Sequence, residues 1–309
     1  MIEVLEAGAL TSVQTAGGRP AWRHLGVPVG GAVDPWSARL ANRLVGNPDD
    51  AALLEITLHG PWLRFGAPTV VALTGATFEA RLNGLPLPTN AGRHVRAGSL
   101  LRIGAGDGAR GYLAVAGGID VELVLGSAAT DLRTGFGGHQ GRVLRAGDRL
   151  ACGTPSGTVR RWVGSQPSGP IRIVDGPHRG ASALVDQDWI VGAEADRAGV
   201  RLDGRSLPRE PEVASMGLPL GAIQVPPDGR PIVMLADRPV TGGYPVPACV
   251  IRADIGRIAA LRPGDEVTFS LVSIEAARRV LRESERELDA LEDAAASPDT
   301  ALQWTGALE

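Results

Sequence analysis

The sequence predicts a mainly β protein built from two similar barrels, with few helices. Three observations carry that expectation. First, the 309 residues include 42 glycines and 23 prolines while aromatics reach only 4%, which suits many short strands and tight turns and not a helical bundle. Second, short apolar runs bounded by Gly, Pro or Asp recur, as in Ala51–Leu58, Thr69–Leu73, Tyr112–Ala116 and Ile171–Val174. Third, the chain echoes itself. Arg81-Leu82-Asn83-Gly84 returns as Arg201-Leu202-Asp203-Gly204, Arg110–Ala116 as Arg230–Ala236, and Arg145-Ala146-Gly147-Asp148 as Arg262-Pro263-Gly264-Asp265, at offsets of 120, 120 and 117 residues. Shared turn chemistry explains each match alone, but three ordered matches at nearly one offset point to duplication.

These signals divide the chain into a first barrel over residues 1–160, a second over 161–272, and a C-terminal helix and tail over 273–309, with the linker in the Pro/Ser/Gly-rich stretch Gly153–Gly169. Two segments read as helix. Asp34 caps the first, Pro35 takes its opening position, Trp36, Leu40, Leu44 and Val45 share a face, and Gly46 ends it. The second starts near Ser273 and carries Ile274, Ala277, Leu281, Leu288 and Leu291 as a thin apolar stripe among Arg and Glu.

Composition excludes several function classes. Acids outnumber bases 34 to 31, so no charge excess points to nucleic acid or an anionic membrane surface. The chain contains no lysine, which removes Schiff-base chemistry, a P-loop lysine and any lysine carrying covalent biotin. Cys152 and Cys249 lie far apart and read as small core residues of a reducing compartment. No secretory signal opens the chain and no apolar run approaches the roughly 18 residues of a membrane span, so a soluble cytoplasmic protein is expected. The five histidines are dispersed without ligand spacing, so no metal is expected, and no G-x-S-x-G elbow occurs. Gly106–Gly111 fits G-x-G-x-x-G, but a strand follows it where a dinucleotide cradle needs a helix, so it reads as a hairpin turn.

Two polar, Gly-rich stretches remain. Gln14–Asp34 is long and aperiodic, and loops of that length in a compact domain are functional or disordered. Gly221–Pro245 delivers an Asp237-Arg238 pair at a strand end, then the step Gly242-Gly243 beside Tyr244, where backbone N–H groups could cradle an anion. A structural Asp–Arg ion pair beside a tight turn accounts for the same residues equally well.

Gly26-Val27-Pro28 through Asp34, Leu40–Asn47, Leu54-Glu55 with Gly60-Pro61, Leu73–Ala76, Tyr112–Gly118, Gly135–Gly138, Asp196–Leu202, Gly221–Gly229 and Thr241–Pro245 together resemble one family. It is the biotin-dependent carboxyltransferase-like family that includes allophanate hydrolase subunit 2, KipA and the 5-oxoprolinase C subunits. The resemblance extends to about Ser273 and implies that both barrels are cyclophilin-like. Gln14-Thr15-Ala16-Gly17-Gly18-Arg19 departs from the family's Gln-Asp-x-Gly-Arg, Pro239-Val240 replace its Gln-Thr, and Val246 replaces a frequent basic residue.

The resemblance further implies a component of an ATP-dependent 5-oxoprolinase, opening 5-oxo-L-proline to L-glutamate with a B-type partner of the KipI or allophanate hydrolase subunit 1 kind and an A-type subunit. A lactam carbonyl is poorly electrophilic, and phosphorylating its oxygen creates a leaving group that water can displace; ATP is expected mainly on a partner. Carried onto this sequence, Asp34, Asp237 and Tyr244 are catalytic candidates. Arg19, Gln224, Arg238, Thr241, Gly242 and Gly243 are candidates for binding the substrate. Two alternatives stand beside this: the carboxyltransferase component of a urea or amide carboxylase, with biotin on another polypeptide, or a KipA-like antagonist that sequesters a KipI-type kinase inhibitor.

Overall fold

The computed structural model describes residues 1–155, 158–165, 167–208, 211 and 213–293. It is mainly β, with two barrel-like sheets, short helices at their seam and a helix near the C-terminus. The larger sheet has eleven strands running from Ile2–Glu6 to Arg149–Cys152. Its spine is the strand Leu100–Val115, which pairs antiparallel with Leu53–His59, Trp62–Phe65, Thr69–Gly75 and Phe78–Leu82. Val4, Leu54, Ile56, Leu63, Leu73 and Leu113 close its core with no solvent exposure. The smaller sheet has eight strands between Ile171–Asp175 and Phe269–Leu271, and these two pair in parallel while the rest are antiparallel. Its core centres on Trp189, whose indole N–H donates to the Leu184 carbonyl at 2.9 Å, so burial of the ring leaves no donor unmet.

The echoed segments take different registers in the two sheets. Arg81 faces Arg102 in the larger sheet, whereas its counterpart Arg201 faces Ile232 in the smaller one. Turn chemistry therefore repeats where strand partners do not. The Gly106–Gly111 motif does not form the expected hairpin turn; it lies inside the Leu100–Val115 strand. Its glycines answer close approaches. A Cβ on Gly111 would stand 2.5 Å from the Phe78 ring, and one on Gly108 would stand 2.8 Å from the Ala260 carbonyl of the second half.

The first helix forms as expected, over Pro35–Leu44. Asp34 caps it by accepting from the N–H groups of Trp36 and Ser37, and Leu40, Ala41 and Leu44 are buried. The second helix spans Ile274–Asp289 behind the Ser273 cap, but its apolar stripe does little: Leu288 is buried while Ile274 is 53% exposed. Ion pairs hold it instead. Arg39 grips Glu285 with two 2.7 Å bonds, Arg43 pairs with Asp289, and the Trp36 indole donates to the Ser284 carbonyl. The expected linker is anchored too, since Arg160–Arg161 pair with Glu292–Asp293 and Trp162 meets Trp36 edge-on at 5.2 Å.

The halves join through the Gln14–Asp34 stretch. It contains a 3-10 helix at Pro20–Leu25, and Val33 is buried among the core residues of the second sheet. Gly30 N–H donates to the Ala236 carbonyl, and Ala109 N–H to that of Ala260. No helix among the described residues is long and apolar enough to cross a membrane.

Candidate functional site

A buried charge cluster occupies the seam. Glu55 belongs to the strand Leu53–His59 and is 0% exposed. One of its oxygens accepts from the Val33 N–H at 2.8 Å, and the other takes Nη1 of Arg197 from the second half. Arg197 turns its remaining donors to Asp237, with Nε–Oδ2 at 2.8 Å and Nη2–Oδ1 at 3.0 Å, and to the Gly31 carbonyl at 2.6 Å. Burial alone would lower the basicity of this guanidinium, but Glu55 and Asp237 outweigh it and hold its pKa above the ordinary value. Asp237 keeps 18% of its side-chain surface; burial raises its pKa, against the pull of Arg197.

Arg19 lies beside this cluster and is 2% exposed. Its Nη2 donates to the Ala129 carbonyl and its guanidinium covers the Phe136 ring at 4.7 Å, while Nε and Nη1 have no partner. A Cβ on Gly30 would sit 3.3 Å from Arg19 Nη1 and 3.8 Å from Asp237 Oδ1, so Gly30 leaves these two groups a shared space. Burial lowers the Arg19 pKa, while Asp131 and Asp237 resist that. Donors aimed into a low-dielectric space without an acceptor are the arrangement an anionic ligand completes.

Asp34 directly follows Val33, whose N–H serves Glu55. Its carboxylate caps the first helix, and its own N–H donates to the buried Tyr112 hydroxyl at 2.8 Å. Burial raises its pKa, more than the cap bonds lower it. The helix Ile255–Ala259 presses against it so closely that a Cβ on Gly256 would lie 2.5 Å from the carboxylate. Asp34 lines a cleft of about 190 Å³ between the first helix, the C-terminal helix and the second half, with Trp36, Trp162, Arg172 and Ile255. Arg19 and Asp237 do not line that cleft.

The rest of the second polar stretch forms a third group. Arg238 is buried and donates to the carbonyls of Leu218 and Leu235, both at 2.9 Å. Burial, then repulsion from Arg23, lowers its pKa to about 10. Thr241–Gly242 pair with Met216–Gly217 in a small ribbon, and Gln224 reaches towards Gly242 from the sheet. Neither Gly242 nor Gly243 takes a positive φ; Gly242 lies in the ribbon, and the Gly243 carbonyl accepts from the Val213 N–H. Tyr244 is 37% exposed. Among the described residues, no group of His, Cys, Asp and Glu has the arrangement of a metal site.

Residues 25–271 match the family described as the carboxyltransferase domain, subdomain A and B. The chain belongs to that family. As a carboxyltransferase-domain protein it is 38% identical over 303 residues to the 5-oxoprolinase C subunit of Escherichia coli, covering 94% of this chain and 97% of that one. The 5-oxoprolinase C subunit of Haemophilus influenzae is 35% identical with 97% covered. Among solved structures, the Kluyveromyces lactis urea amidolyase superposes with a TM-score of 0.83 at 31% identity, covering 93% of this chain and 20% of that one. The structure of TTHA0988 superposes at 0.80 with 40% identity, covering 87% of this chain and 55% of that one.

The carboxyltransferase-domain fold thus separates site residues that the sequence presents as one set. Arg19 and Asp237 face one space at Gly30; Asp34 opens elsewhere; Arg238, Gln224, Thr241 and Gly242 gather around Leu218. Sequence reasoning missed Glu55 and Arg197 as the pair that joins these elements. Glu55 carried a legible signal, since an acid within Leu53-Leu54-Glu55-Ile56 must be buried with a partner. Nothing local marks Arg197 as that partner.

Proposed function

We propose that this chain is the C-type component of a 5-oxoprolinase, acting within a multi-subunit enzyme that hydrolyses 5-oxo-L-proline to L-glutamate. The observation that carries the reading is the pair of unpartnered donors on buried Arg19 beside Asp237, in a chain matching nearly the full length of two 5-oxoprolinase C subunits. In this reading Nε and Nη1 of Arg19 take the substrate carboxylate. Asp237, oriented by Arg197 on both oxygens and partly open to solvent, positions water or accepts its proton as general base. Asp34 serves the helix cap first and is the second candidate for a proton acceptor. Tyr244 and Thr241 are exposed and would meet a ligand or partner at the rim.

Gly106–Gly111 runs as strand and does not lead into a helix, so that motif cannot form the glycine cradle that ATP phosphates take. We assign ATP to the B-type and A-type partners, without a step through this chain. The test is 5-oxoproline-dependent ATP hydrolysis and glutamate release by the reconstituted subunits. Both are expected with this chain present and neither without it; equal turnover without it refutes the reading.

A carboxyltransferase component is the second reading, favoured by the family description and by superposition on the Kluyveromyces lactis urea carboxylase at a TM-score of 0.83. With no lysine here, biotin would have to arrive on another polypeptide. Carboxylation of urea or an amide by the assembled subunits plus a biotinylated carrier would establish it.

A further inference from the structure

Arg23 and Arg238 come from different halves of the chain and meet at one atom. Arg23 Nη2 donates to the Leu218 carbonyl at 2.5 Å, and Arg238 Nε donates to the same oxygen at 2.9 Å. Among the described residues the bonds of both go to backbone carbonyls and none to a carboxylate. Arg238 is 7% exposed, and its other bond goes to a backbone carbonyl. Two guanidinium charges held this close, one of them desolvated, repel each other, and a single shared carbonyl dipole does not neutralise them. Gln224 approaches Gly242 on the side of the Leu218 side chain; it is 4% exposed and its Nε2 lacks any acceptor.

Glycines keep the approach clear. A Cβ on Gly242 would lie 2.6 Å from Gln224 Nε2 and 2.9 Å from Leu218 Cδ1, and one on Gly217 would lie 3.7 Å from Arg23 Nη2. Arg23 opens to a surface groove that it lines with Pro20, His24, Gly217, Pro219 and Val240, and no acidic side chain lines it.

We propose that Arg23, Arg238 and Gln224 form an oxyanion-binding site, for a carboxylate or phosphate group, on the rim of the second barrel and separate from Arg19 and Asp237. An oxyanion there accepts from both guanidiniums, relieves their repulsion and gives Gln224 Nε2 an acceptor. The site goes beyond the 5-oxoprolinase reading and does not depend on it, because its test needs only the full chain.

The experiment is calorimetric titration of the chain with sodium phosphate and, separately, with sodium acetate at fixed ionic strength. Saturable binding of at least one is expected, weakened about tenfold or more by Arg23→Gln, which removes one charge-assisted bond. The exposed Arg64→Gln, a matched loss of charge, leaves it unchanged. Preference for phosphate marks a phosphoryl-bearing ligand; preference for acetate marks a carboxylate. Arg23 is only half-buried, so its variant keeps the fold and decides the matter even where Arg238→Gln does not fold. Absence of saturable binding, or equal weakening by Arg64→Gln, overturns the proposal.

Discussion

Replacing Arg197 with Met tests whether the seam is held by its charge cluster. The substitution keeps an unbranched side chain of similar length but removes the cation that serves Glu55, at 0% exposure, and both oxygens of Asp237. Glu55 then keeps only the Val33 N–H, and a buried carboxylate is left without a countercharge. Breaking such a pair from one side costs about 3–5 kcal/mol, far above the 0–1 kcal/mol of a surface pair. Urea unfolding followed by circular dichroism at neutral pH measures the loss. The deficit shrinks as pH falls, because burial already raises the Asp237 pKa and protonating that carboxylate removes a charge that has lost its partner. Adding Glu55→Gln to Arg197→Met is expected to recover about 1–3 kcal/mol, since the double variant strands less charge. A loss under about 1 kcal/mol for Arg197→Met, or additive losses in the double variant, would refute the reasoning.

Arg19→Met leaves stability unchanged or higher, because two of its buried donors have no partner, yet reduces 5-oxoproline turnover by the assembled subunits at least tenfold through KM; parallel thermal melts and kinetics check this. Gly256→Ala places a methyl group 2.5 Å from the Asp34 carboxylate and lowers stability by about 1–3 kcal/mol in a thermal melt. Asp34→Ala loses about 1 kcal/mol with the cap, while Asp34→Asn, which still accepts from Trp36 and Ser37, loses less. Asp148, gripped by Arg142 through two 2.8 Å bonds, has its pKa lowered from 3.8 to about 2. Its stabilisation of about 1 kcal/mol is therefore complete above pH 3.8 and lost as pH falls through about 2, so Asp148→Asn and the parent converge in acid unfolding.

What the sequence by itself determined is local. The Asp34 cap, Pro35 and Gly46 delimit the first helix because caps and turns depend on residues within a few positions. Short apolar runs bounded by turn residues, Ala51–Leu58, Thr69–Leu73 and Ile171–Val174, fall on the strands Leu53–His59, Thr69–Gly75 and Ile171–Asp175, and the ordered family motifs span both barrels. Tertiary structure decided the rest. Gly106–Gly111 has turn composition but runs as strand, because Phe78 and Ala260 pack where side chains would be. The C-terminal helix is held by Arg39 and Arg43 on another helix, which its own stripe does not encode. The candidate site was legible as residues and not as a set. Arg19 faces Asp237 across the space at Gly30, and Arg23 shares the Leu218 carbonyl with Arg238, only because the halves dock across Glu55 and Arg197. These contacts join positions more than a hundred residues apart, and the energy that selects them comes from burying charges together, a quantity no local pattern carries.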